Sequence, residues 1–161
     1  MGRILIIRHA IAEDADAALA QGRDDAARGL TDEGRQKFSQ AVKGLARVVT
    51  KIDVLVASPL LRAVQTGEIL SQQFIAPGAA PGALLEWYLR HAASECVALV
   101  GHEPSHSLWA SELLTGRETS ILKLKKGAAC LLELDSLAPK KPALARLLWL
   151  LQPSQLRLLA S

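Results

Sequence analysis

Gly2-Arg3-Ile4-Leu5-Ile6-Ile7-Arg8-His9 is the stretch on which the fold turns. Residues 3–7 are apolar at successive positions after Arg3 and rich in β-branched side chains. Such a run predicts a strand buried on both faces, as in a parallel sheet covered by helices. Two similar runs follow, Asp53 to Ala57 and Val97 to Val100, the latter ended by Gly101. Ala128 to Leu134 and Leu144 to Leu151 read as late strands, with Pro153 stopping the last.

Helical patterns alternate with these runs. Thr31 is placed to cap a helix whose first turn holds Asp32 and Glu33, acids suited to the positive end of the dipole. Phe38, Ala41, Val42, Leu45 and Val49 then recur at helical spacing. Pro59 opens a helix carrying Leu60, Val64, Gly67 and Leu70 on one face, and Pro104 opens one running to about Leu114. Residues 10–30, rich in Ala, Asp and Gly, read as a long loop. Residues 75–83 read as a second loop and 84–93 as a helix. Alternating strands and helices predict an α/β domain of three layers, with a mainly parallel central sheet and helices on both faces. The 161 residues fit one domain, 1–161.

Composition narrows the function classes. No stretch approaches the roughly 20 apolar residues that span a bilayer, so no membrane partner is expected. The apolar run before Arg8-His9 is too short for a signal peptide, which implies a cytoplasmic protein. Cys96 and Cys130 lie inside apolar runs and read as buried thiols. The net charge of +3 hides an asymmetry. Acids crowd residues 10–33, and bases crowd 117–146 without interleaved aromatics. That pattern predicts a solvated face and no nucleic-acid partner.

Three strands deliver polar residues to one sheet edge: Arg8-His9, Ser58, and Gly101-His102. In open α/β sheets ligands bind beyond the carboxyl ends of the strands. Arg8-His9 alone is better read as a solvated strand end. His102 precedes Glu103-Pro104 at a helix start, where backbone N–H groups favour an anion. Arg62 lies in the first turn of the helix after the second strand and has no i,i+4 acidic partner, since positions 58 and 66 are Ser and Thr. Two guanidiniums and two imidazoles at one edge make a site for a dianion, because Arg forks match phosphate oxygens.

Ile7-Arg8-His9-Ala10, Ser58-Pro59-Leu60-Leu61-Arg62-Ala63-Val64-Gln65-Thr66 and Val100-Gly101-His102-Glu103-Pro104, in that order, resemble the histidine phosphatase superfamily. Arg-His-Ala at 8–10, Leu30-Thr31-Asp32-Glu33-Gly34 and Trp149-Leu150-Leu151-Gln152-Pro153 are similar to its small SixA-type phosphohistidine phosphatase branch. The resemblance implies a phosphoglycerate mutase-like fold, in which His9 attacks phosphorus and Arg8, Arg62 and a charged His102 hold the oxygens. It implies no cofactor and no metal. The expected partner is a phosphohistidine-bearing protein, such as a phosphotransfer domain, or a small phosphate ester.

The resemblance also implies an acid between the second Arg and the second His, which makes Glu86 the candidate general acid; a solvated helix residue is the alternative there. Glu13, Asp14 and Asp16 follow the His9 loop as weaker candidates, while His91 and His106 carry no motif. Rival functions are a phosphatase for small phosphate esters and a phosphoprotein-binding module without turnover.

Overall fold

A computed structural model describes residues 2–74, 96–117, 119–134 and 145–161. Glu86, His91 and the expected elements at 75–83 and 84–93 lie outside the described residues.

Among the described residues the sheet has five strands, in the order β2-β3-β1-β4-β5. These are β1 (Gly2–Arg8), β2 (Val54–Ala57), β3 (Cys96–Gly101), β4 (Ala129–Leu134) and β5 (Ala145–Leu151). β1 is central and runs parallel to β3, which runs parallel to β2. β4 and β5 close the other side in antiparallel pairings. Burial on both faces explains the unbroken apolar run in β1, where Ile4 to Ile7 are at most 1% exposed.

Leu5 and Ile7 point into one core with Phe38, Ala41, Val42 and Leu45 of α2 (Asp32–Leu45), Leu70 of α3 (Leu61–Phe74) and Leu156 of α5 (Pro153–Leu158). Ile4 and Ile6 point into the other with Ala110 of α4 (Ser105–Thr115) and Cys130 and Leu132 of β4. Each half adds several buried aliphatic side chains, each stabilising by about 1.5–3 kcal/mol.

Local signals explain the helix starts. Thr31 Oγ1 accepts from Gly34 N–H at 2.9 Å and caps α2. Gly44 of α2 faces α5 so closely that a Cβ there would stand 1.7 Å from the Leu156 carbonyl oxygen. Two expectations change. The loop at 10–30 contains α1 (Ala15–Ala20), capped by the Asp14 carboxylate, and a 3-10 turn at Asp25–Ala27. Pro153 ends β5 and also starts α5, because its fixed φ suits a first helical turn as well as it breaks a strand.

Candidate active site

The strand register builds the site. Arg8 stands opposite Gly101 across β1 and β3, so the next residues, His9 and His102, leave the sheet side by side. Ala57 stands opposite Val100, which brings Ser58 to the same edge. His9 N–H donates to the Gly101 carbonyl at 2.9 Å, and Gly127 N–H donates to the His9 carbonyl at 3.0 Å. The backbone of His9 is therefore held from both sides.

The His9 ring is buried, 7% exposed, with Nδ1 2.7 Å from the Ala10 carbonyl oxygen. A carbonyl only accepts, so Nδ1 carries the proton and Nε2 keeps its lone pair. Burial is the main cause that pushes the His9 pKa down to about 4; the Ala10 bond opposes it, and His102, Arg62 and Arg8 add to it. His9 is thus a neutral imidazole at neutral pH, with a free nitrogen.

Arg62 is 6% exposed and reaches back to the loop before α2. Its Nη1 donates to the Asp25 carbonyl at 2.8 Å and its Nη2 to Asp25 Oδ2 at 3.0 Å. Arg28 holds the other carboxylate oxygen of Asp25 at 2.7 Å. Arg8 Nη1 donates to the Leu124 carbonyl at 2.8 Å. The Nε atoms of Arg8 and Arg62 are buried without a partner among the described residues. Two cationic donors turned inward suit an anion, since a buried donor left unpaired costs about 1–3 kcal/mol.

His102 Nε2 lies 2.8 Å from Ser58 Oγ, and its Nδ1 has no partner among the described residues. Burial first, and then Arg62, pull the His102 pKa below its usual value. The expected charged His102 is corrected for the free protein: desolvation beside a guanidinium disfavours the imidazolium, and a bound dianion would be needed to restore it.

A polar chain joins these parts. Ala10 N–H donates to Thr66 Oγ1 at 3.0 Å, and the Thr66 hydroxyl donates to the Arg62 carbonyl at 2.7 Å. Gly34 seats the same segment, for a Cβ there would stand 2.0 Å from the Ile11 carbonyl oxygen.

The structure therefore brings Arg8, His9, Arg62 and His102 to one edge. Glu13 serves the loop instead, pairing with Arg23 at 2.8 Å and accepting from Gly29 N–H at 3.0 Å. Asp14 caps α1 and Asp16 is exposed. His106 is buried against Gly101, its pKa pushed down to about 4 mainly by burial. Asp25 and Thr66 are parts that sequence reasoning did not assign. Thr66 stands one turn after Arg62, which is a readable signal; Asp25 lies 37 residues away from Arg62 and offers none.

Among the described residues no group of three or more His, Cys, Asp or Glu is placed to hold a metal ion. No helix among them is long and apolar enough to cross a membrane.

Residues 4–89, just over half of the chain, match the Histidine phosphatase superfamily (branch 1), and the chain belongs to that superfamily. An uncharacterized protein of Picosynechococcus sp. (strain ATCC 27264 / PCC 7002 / PR-6) is 35% identical over 136 residues, which is 76% of this chain and 79% of that protein. The fold is shared with the protein histidine phosphatase SixA complexed with tungstate, at a TM-score of 0.74 and 23% identity over 96% of this chain and 99% of that one. It is also shared with a phosphoserine phosphatase from Entamoeba histolytica, at a TM-score of 0.61 and 13% identity over 93% and 96%.

Proposed function

We propose that the chain, acting as one cytoplasmic domain over residues 1–161, removes phosphate from phosphohistidine side chains of proteins. His9 Nε2 attacks phosphorus, and the P–N bond to the substrate imidazole breaks. The leaving ring departs neutral, because its other nitrogen already carries a proton. Water then cleaves phospho-His9, releasing inorganic phosphate and restoring the free imidazole. Arg8, Arg62 and His102 hold the three equatorial oxygens, and the two guanidiniums carry the electrostatic work without a metal.

The observation that carries this reading is the fixed tautomer of His9: a buried, neutral ring, donating from Nδ1 to Ala10, with Nε2 free among cations. The choice of phosphohistidine has a separate support. Hydrogen bonds from Arg28 and then Arg62 hold the Asp25 carboxyl below the usual carboxylate range, so it is ionised and a poor proton donor. Alkyl esters need a proton on the leaving oxygen, whereas a protonated imidazole does not. Glu86 remains the proposed acid for esters, so Glu86→Gln should reduce ester turnover more than phosphohistidine turnover.

The test is a substrate panel of a phosphohistidine protein, sugar phosphates and aryl phosphates, followed by acid-sensitive peptide mapping after a brief reaction. The phosphohistidine protein should give the highest kcat/KM and the label should sit on the His9 peptide. A sugar phosphate outrunning every phosphohistidine protein would sink the substrate assignment; label on Ser58 would sink the mechanism.

A further inference from the structure

Beside the histidine pocket lies a second basin of about 160 Å³ at the same sheet edge. Its wall includes Ala10, Phe38 and Gly127, and Lys37, Lys126 and Arg157 line it. The three cations come from separate parts of the chain: α2, the segment before β4, and α5. Lys37 is paired with Glu33, which offsets its charge. Lys126 and Arg157 make no ion pair among the described residues, and Arg157 is half-buried. Its stem can rest on the apolar wall while the guanidinium faces the basin opening.

The basin and the nucleophile share a wall. Ala10 follows His9 directly, and Gly127 N–H donates to the His9 carbonyl. The basin therefore lies against the backbone of the segment that holds His9 in place.

We propose that this basin is a specificity subsite that takes an acidic side chain flanking the phosphorylated residue of a protein substrate, with Lys126 and Arg157 as its partners. The volume admits a carboxylate side chain and no folded element, since one water occupies about 30 Å³. The inference rests on the phosphoprotein reading above. Charges placed on such a rim set partner choice and encounter rate more than raw affinity.

The experiment uses two phosphohistidine peptides that differ only in having Glu or Gln around the phosphorylated residue. The wild-type protein should favour the Glu peptide in kcat/KM by about twofold to thirtyfold, as expected for two solvent-screened ion pairs. The Lys126→Gln/Arg157→Gln double variant should bring that ratio near one. No preference in the wild type, or a ratio unchanged in the double variant, overturns the proposal. Lys126→Gln alone, with a partial fall in the ratio, serves if the double variant does not fold.

A binding arm separates this idea from the reading beneath it. Unphosphorylated Glu and Gln peptides are titrated against the protein by fluorescence anisotropy. If neither phosphopeptide is turned over while an aryl phosphate is, the phosphohistidine reading has failed, and this arm decides the subsite. Selective binding of the Glu peptide, lost in the double variant, supports it; equal or absent binding overturns it. An oligonucleotide of the same charge binding as tightly also overturns it, since attraction would then be unspecific.

Discussion

The rings of His9 and His102 lie 5.1 Å apart, centroid to centroid, tilted by 51°. Each sits where the other's charge would be unfavourable, and both have lowered pKa values in the free protein. An anion between them changes that balance, because it favours a proton on His102 while His9 Nε2 stays free to attack. His9→Ala should abolish turnover and phosphoenzyme formation. His102→Ala should still label His9, at a rate lower by roughly 10²–10³. Rapid-quench measurement of the phosphoenzyme distinguishes the two, and equal loss of labelling in both would remove His102 from the oxygen-holding role.

In the proposed mechanism Arg62 meets the phosphate whatever the leaving group, so Arg62→Ala should lower kcat/KM by roughly 10²–10⁴ on all substrates. Steady-state rates on an aryl phosphate and on a phosphohistidine peptide check this. A loss under about tenfold on both places Arg62 outside the reaction.

Asp25 holds both Nη atoms of Arg62 in the free protein. Its carboxylate is 57% exposed while the Arg62 side chain is 8% exposed, so water screens the pair from one side and holds it to on the order of 1 kcal/mol. Asp25→Asn should therefore tighten inorganic phosphate binding by about twofold to fivefold, measured as competitive inhibition. Weaker binding would show instead that the carboxylate is needed to aim the guanidinium.

Much of this arrangement was legible from residues alone, for physical reasons. A strand buried on both faces announces itself as an unbroken apolar run, so β1 and β3 and the polar residues at their ends could be read. The direction of β4 and β5 could not, because a strand's own composition does not record which way its neighbour runs; the sheet is mixed, with β1, β2 and β3 parallel. The Arg62–Asp25 contact is a tertiary pair across 37 residues and follows no helical or strand period. α5 was hidden because Pro153 reads as a terminator, and Gln152-Pro153 is also a helix start.

Buried His9 and His106 carry pKa values of about 4, below the 6.5 of an ordinary imidazole. The unfolded chain therefore takes up protons first as pH falls. Their contribution to stability is complete above about pH 6.5 and declines toward pH 4, by up to about 3 kcal/mol each. Urea midpoints should fall between pH 7 and pH 5, and His106→Leu should flatten the dependence. NMR should show both rings uncharged at pH 5.5; titration of the His9 ring near pH 6.5 would contradict the burial argument.

The proposed electrostatics reside in guanidiniums, so activity should persist after dialysis against a strong chelator. Vanadate, a mimic of five-coordinate phosphorus, should inhibit competitively. Activity that returns only on adding a divalent ion would overturn the metal-free reading.

The central place of β1 also bears on how the protein is made. Its neighbours are β3 and β4, and β3 begins at Cys96, 88 residues after Arg8. At about 5–20 residues per second, a ribosome exposes Ile4 to Ile7 for roughly 4–18 s before their parallel partner exists. Pairings this distant also fold slowly once the chain is free. The strand that leads into His9 therefore stays without its parallel partner through this interval, and its apolar side chains are open to wrong association until β3 is made.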